Sequence, residues 1–189
     1  MFPILWFILF LTVLIFHCHS EGAFVFIYYT MWTFSLEIVF FGLSFVKSMK
    51  NIRKHLFEII FAPAIVVCFG FWIVIAPIYL QSSKPKNAVL VFVTHGCNAI
   101  AMLTEMKSIS MSSVWKPVLY TIVYNLFLVV YVGSGGRSVS GKLPYWYTEY
   151  DKPIGWIFAC LAVIAVFIVH VVSAAYIWPV RRHTTQYIV

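Results

Sequence analysis

Two side chains in this sequence have the types that acyl transfer needs: Thr30, inside "FIYYTMWTFSLEIVFFG" (26–42), and His95, inside "THGCNAIAMLTEM" (94–106). An alcohol is a weak nucleophile until a base removes its proton during attack, and an imidazole is the commonest such base. Other polar residues share these apolar surroundings: Thr33, Glu37, Asn98, Glu105, Asn125 and His170. On helices, Thr30, Thr33 and Glu37 fall at i, i+3 and i+7, one stripe, and Asn98 lies one turn below His95. A bland reading stands beside the catalytic one. Threonine in an apolar helix commonly bonds back to a carbonyl one turn earlier, and polar groups in membrane bundles also tie helices together.

The elements that must carry these residues follow from composition. The 189-residue chain is 62% hydrophobic and 10% charged, with a mean hydropathy of +0.94, far from the roughly 25% charge of soluble domains. It reads as an all-α, polytopic membrane bundle forming a single domain over residues 1–189. About 20 apolar residues cross a hydrocarbon core. Six runs qualify, at roughly 2–18, 24–46, 58–80, 88–106, 115–134 and 154–178. The first is expected to be a retained helix, since it lacks the Lys or Arg of a signal peptide's opening region. The loop "GSGGRSVSGKLPYWYTEYDKP" is the one candidate for a folded cap.

Basic residues set the expected orientation. One set of alternate loops holds Lys47, Lys50, Arg53, Lys54, Lys107, Lys116, Arg181 and Arg182; the other holds Lys84, Lys86, Arg137, Lys142 and Lys152, together with Glu21, Glu149 and Asp151. The richer set belongs in the cytosol, with both termini. Thr30 and His95 then each lie about seven residues, or ~10 Å, into their helices from the non-cytosolic side, in one layer. Glu37 and Glu105 lie deeper.

The net charge of +7 is a topology signal with attraction for anionic lipid, and no nucleic-acid footprint is read from it. Cys68, Cys97 and Cys160 fall in spans as small packers, Cys18 at an edge, and no disulfide framework emerges. His17-Cys18-His19 points its side chains in different directions, so no metal site is expected. A haem carrier needs paired histidines at matching depths, whereas His95 and His170 lie at opposite depths.

The segments "YYTMWTFSLEIVFFG", "FAPAIVVCFGFWIV" (61–74) and "THGCNAIAMLTEM", in this order over roughly Tyr28 to Met106, resemble the androgen-induced protein family. That family comprises multipass membrane threonine hydrolases that cleave fatty acid esters of hydroxy fatty acids. The family's Gly-x-Trp-x-Tyr-Pro run is present here only as Gly141 and Tyr145. Counting back twelve from Gly42, the resemblance puts the nucleophile on Thr30 and the base on His95. It implies a branched fatty acid ester as membrane substrate and no cofactor; no targeting motif is recognised, and the endoplasmic reticulum and the plasma membrane both suit the chain. Asn98 and Glu37 are possible supporting residues, Asn98 as an oxyanion donor and Glu37 as an orienting group or partner of His170. Lys84, Lys86 or Arg137 are candidates for holding the substrate carboxylate. The alternative function is a non-catalytic multipass protein, a scaffold or small transporter.

Overall fold

The computed structural model describes residues 2–77, 88–105, 109–145 and 147–177. Among these residues the protein is an all-α bundle of six helices without a strand. Helix α1 (Phe2–Glu21) runs into a 3-10 stretch (Gly22–Ile27), followed by α2 (Tyr29–Gly42). Helix α3 (Lys50–Gly70) continues as a π turn (Phe71–Ile75). Helix α4 is built from Ala88–Phe92, a π turn (Val93–Cys97) and Asn98–Thr104. Helices α5 (Trp115–Gly133) and α6 (Pro153–Val172) follow, the latter ending in a π turn (Ser173–Ile177).

Four stretches, Phe2–Ile27, Lys47–Ile75, Met111–Gly133 and Pro153–Ala175, are long and apolar enough to cross a membrane. A bundle with four such helices, clad in exposed Leu, Ile, Val and Phe, is a membrane protein.

Three expected spans differ: the run 88–106 holds only a shorter apolar helix, Val89–Thr104, among the described residues, and two others have different bounds. The run 24–46 is broken at Tyr28, whose extended backbone (φ −96, ψ 135) separates the 3-10 stretch from a 14-residue α2. At 1.5 Å per residue α2 covers about 21 Å, short of a ~30 Å core. It is an inner helix, burying Met31, Thr33, Phe34, Glu37, Ile38, Phe40 and Phe41. Helix α3 begins at Lys50, eight residues before the expected 58. Lysine and arginine are good helix formers, and the charges of this first stretch find partners: Arg53 pairs with Glu105 and lies over Phe40, while Lys116 of α5 donates to Glu58 and His55. The ends of the expected spans at 78–80, 106 and 178 lie outside the described residues.

Helix α3 is the hub, packing on α2, α4, α5 and α6, while α1 packs on α2. Buried Ala62, Pro63 and Ala64 leave room for that crowding, because association inside a membrane depends on close approach of small residues. The core is aromatic. Phe10 of α1 meets Phe34 of α2 at 4.6 Å between ring centroids, and Phe40, Phe41, Phe57 and Phe61 continue the cluster.

The segment from Ser134 to Lys152 folds back over one end of the bundle. Its turn closes through Gly141 N–H to the Ser138 carbonyl and Ser138 N–H to the Lys142 carbonyl, both 2.8 Å. Gly141 has φ +74, a conformation that favours glycine. Where α6 begins, a Cβ on Gly155 would stand 2.8 Å from the Glu149 carbonyl oxygen, so the cap lies directly on the helix start.

Candidate active site

His95 sits inside the π turn of α4. Such a turn shifts backbone hydrogen bonding from i−4 to i−5 and recurs at functional sites. Here the imidazole Nδ1 lies 2.9 Å from the Val91 carbonyl, four residues back, and 2.9 Å from Thr94 Oγ1. A carbonyl has no proton to give, so Nδ1 carries the hydrogen and donates it. The Thr94 hydroxyl turns its own proton back toward the carbonyls of Leu90 and Val91, leaving its oxygen as an acceptor. The other ring nitrogen, Nε2, therefore presents a lone pair. It faces Thr30 Oγ1 at 3.3 Å.

Phe71 holds the ring from its side, stacked at 3.9 Å with an interplanar angle of 28°. Phe71 opens the π turn at the end of α3, so two π turns meet across the site. An aromatic pair of this kind contributes about 0.5–1.5 kcal/mol beyond its area. The base is thus fixed in tautomer by a backbone carbonyl and in orientation by a phenyl ring.

Thr30 is the second residue of α2, in a first turn whose Met31 and Trp32 N–H groups both donate to the Tyr28 carbonyl, at 3.0 and 3.2 Å. Three tyrosines fasten that turn. Tyr29 N–H donates to the Tyr145 hydroxyl of the cap at 3.0 Å, and Tyr124 of α5 donates to the Ile27 carbonyl at 2.8 Å. The Tyr29 hydroxyl lies 2.7 Å from Thr121 Oγ1, whose own proton goes to the Pro117 carbonyl, so Tyr29 is the donor there. Burial pushes the Tyr145 phenol up to about 12. It remains a neutral hydrogen-bonding group at any ordinary pH.

Thr30 and His95 both line a cavity of about 320 Å³. Its walls come from α3 (Val66, Val67, Gly70, Phe71, Val74), α5 (Thr121, Tyr124, Asn125, Leu128), α6 (Phe158, Ala159, Ala162, Ala165) and cap residues Tyr145, Tyr147 and Tyr150. No charged residue is among the described lining residues. A hydroxyl, a neutral base with its lone pair aimed at it, and an apolar chamber make an arrangement suited to nucleophilic attack on an uncharged carbonyl.

The remaining sequence candidates lie elsewhere. Thr33, one turn past Thr30, is fully buried and reaches Tyr120 at 3.4 Å. Asn98 and Glu37 are also fully buried and do not line the cavity. Asn98 Oδ1 accepts from Ala99 N–H, while its amide nitrogen and both Glu37 carboxyl oxygens have no partner among the described residues. The suggested Glu37–His170 pair is not formed: His170 Nε2 takes the Ser110 carbonyl at 3.0 Å, beside Ser113. Glu105 is committed to Arg53 at the opposite end of the bundle from the cap. Asn125 lines the cavity and donates to the Ala159 carbonyl at 3.4 Å. Arg137 is exposed on the cap and turns to the Gly136 carbonyl; Lys84 and Lys86 lie outside the described residues. Among the described residues no three of His, Cys, Asp and Glu gather as a metal cluster.

Three contributors escaped the sequence reading, Phe71, Tyr124 and Tyr147, and Tyr145 entered it only as a remnant of the family's run. The run "PYWYTEY" carries enough aromatic surface to signal that the loop covers something apolar. Nothing in the local pattern around Phe71 or Tyr124 separates them from lipid-facing aromatics.

No protein-family model, curated protein or solved structure matches the chain.

Proposed function

We propose that this protein is an intramembrane ester hydrolase that cleaves fatty acid esters of hydroxy fatty acids, with Thr30 as nucleophile and His95 as general base. The observation that carries the reading is the 3.3 Å contact between Thr30 Oγ1 and the proton-free Nε2 of His95, at the wall of an apolar cavity. The substrate class comes from the family resemblance, and the lining without charged groups suits its neutral ester and hydrocarbon.

In the cycle, Thr30 Oγ attacks the ester carbonyl carbon while its proton passes to His95 Nε2. The carbonyl π bond opens to an oxyanion near the start of α2, where the positive end of the helix dipole favours negative charge. As the oxyanion collapses, the bond to the alkoxide of the hydroxy fatty acid breaks, and Nε2 returns the proton to that oxygen. Water then attacks the acyl-threonine, again giving a proton to Nε2, and collapse releases the fatty acid with Thr30 reprotonated. Throughout, Nδ1–H stays on the Val91 carbonyl, which steadies the transient imidazolium with a neutral dipole where better-known triads use a carboxylate.

In this reading Thr30 and His95 stand in the outer third of the bilayer on the non-cytosolic side, in the endoplasmic reticulum or plasma membrane, with both termini in the cytosol. An ester several methylenes below a carboxylate head reaches that layer.

The test is hydrolysis of a branched fatty acid ester by purified protein, with folded protein quantified on the same preparations. Thr30→Ala should leave no measurable turnover, and His95→Ala should lower it by about 10²–10⁴-fold, each at undiminished yield and thermal stability. Activity per folded molecule that survives both substitutions would leave the pair as helix glue and return the protein to the scaffold reading.

A further inference from the structure

We infer that the space between α3 and α6 is the binding cleft for the acyl chain that is transferred to Thr30, and that the chain enters it sideways from the lipid. The inference rests on the ester hydrolase reading for the word "transferred", while the cleft itself rests on geometry. Val67, Gly70 and Val74 follow one another along α3 at helical spacing, and Ala159, Ala162 and Ala165 do so along α6, all lining the cavity that holds Thr30 and His95. Side chains this short leave the wall of the cavity open where longer ones would fill it. A Cβ built on Gly70 meets nothing within 4 Å.

The cavity that holds Thr30, His95 and the cap tyrosines also reaches the outer surface of the bundle: its lining residues Val74 and Leu161 are 39% and 52% exposed, on helix stretches apolar enough to face the bilayer interior. An opening rimmed by lipid-facing side chains admits a hydrocarbon without its passing through water. A chain is also the one occupant that an uncharged, mostly aliphatic slot leading to a hydroxyl favours, because each methylene moved there finds packing partners and no polar group is stranded.

Size sets a limit. A volume of about 320 Å³ holds roughly ten groups of ~30 Å³, the volume share of a water molecule. Acyl chains of about ten carbons fill the cleft, and longer ones trail past Val74 and Leu161 into the membrane.

Two measurements on the detergent-solubilised full chain test this. In the first, esters of one alcohol with acyl groups from four to sixteen carbons are hydrolysed. For the protein itself kcat/KM should climb with acyl length and level off near ten carbons. Gly70→Leu and Ala162→Leu should lower the ratio of ten-carbon to four-carbon turnover at least tenfold, with helix content and thermal midpoint measured on the same preparations so that the ratio is read on folded protein. An unchanged ratio in both leucine variants, or a length dependence that follows the alcohol, would overturn the assignment. In the second, a long-chain fatty acid with a diazirine in its chain is photolysed with the protein and with Thr30→Ala. Crosslinks should fall within 66–75 and 158–165 in both, and crosslinks confined to other segments would overturn the cleft. Crosslinking there without hydrolysis of any ester would retain the acyl-binding cleft and remove the hydrolase reading, so the two failures are distinguishable.

Discussion

At the scale of single residues, the site depends on which nitrogen of His95 holds its proton. The Val91 carbonyl decides this by geometry, leaving Nε2 as an acceptor 3.3 Å from Thr30 Oγ1. That separation is longer than the 2.6–3.2 Å of a working nucleophile–base contact, as is common before substrate arrives. The supporting residues act through the backbone. Tyr145 never meets His95 among the described contacts but accepts the N–H of Tyr29, the residue before Thr30. Tyr145→Phe removes that acceptor and leaves a buried N–H unpaired, which costs about 1–3 kcal/mol. The expected result is a lower thermal midpoint together with a fall in kcat larger than any change in KM. A loss of stability with kcat intact would make Tyr145 a fastener of the cap alone.

At the scale of elements, the sequence displayed the helices more clearly than the devices within them. Apolar runs marked all six helices, but a count of seven residues inward does not describe Thr30, which is the second residue of α2, whereas His95 does lie seven residues past the start of α4 at Ala88. The break at Tyr28 was hidden because "FVFIYYTMW" is apolar throughout and carries neither Gly nor Pro to punctuate it. The two π turns were hidden as well, since an inserted residue leaves hydrophobicity unchanged while it turns Phe71 and His95 toward each other. Glu37 misled for a physical reason. Its stripe with Thr30 is real, but a stripe descends at 1.5 Å per residue, and seven residues carry the carboxyl beyond the chamber into the packed core.

The cap shows the same division between pattern and packing. Its Gly and Pro content announced a folded loop, but its contact with α6 depends on Gly155, where any side chain meets the Glu149 carbonyl oxygen and the Tyr150 ring. Gly155→Val should displace the cap, exposing Tyr145 and Tyr150. Protease nicking between 134 and 152 and hydrogen exchange of the Tyr29 N–H should both rise, while helix content measured by circular dichroism stays unchanged. Unaltered protection of Tyr29 would show that the cap is held independently of α6.

At the scale of the whole molecule, a buried aromatic core, an inner α2 and a hub α3 place the candidate chemistry under the cap and put the ion pairs Arg53–Glu105 and Lys116–Glu58 at the opposite end. The basic stretch Lys47–Lys54 belongs to that opposite end, and on the proposed topology the positive-inside rule would turn the cap away from the cytosol. A glycosylation acceptor engineered at Ser138 should be modified in cells. A reporter at Ser138 found in the cytosol would invert the topology, with the substrate then drawn from the cytosolic leaflet and the Thr30–His95 geometry untouched.

The central claim is that Thr30 becomes covalently acylated, and the mass of a labelled peptide tests it most directly. The purified protein is treated with a fluorophosphonate directed at activated hydroxyls, digested, and its adduct located by fragmentation. The expected result is one adduct, on Thr30, absent from Thr30→Ala and retained by Thr33→Ala, whose lost hydroxyl faces Tyr120 instead of His95. An adduct on Thr33, or labelling that persists in Thr30→Ala, would contradict the assignment of the nucleophile. No adduct at all on a preparation whose helices are intact would contradict the hydrolase reading itself.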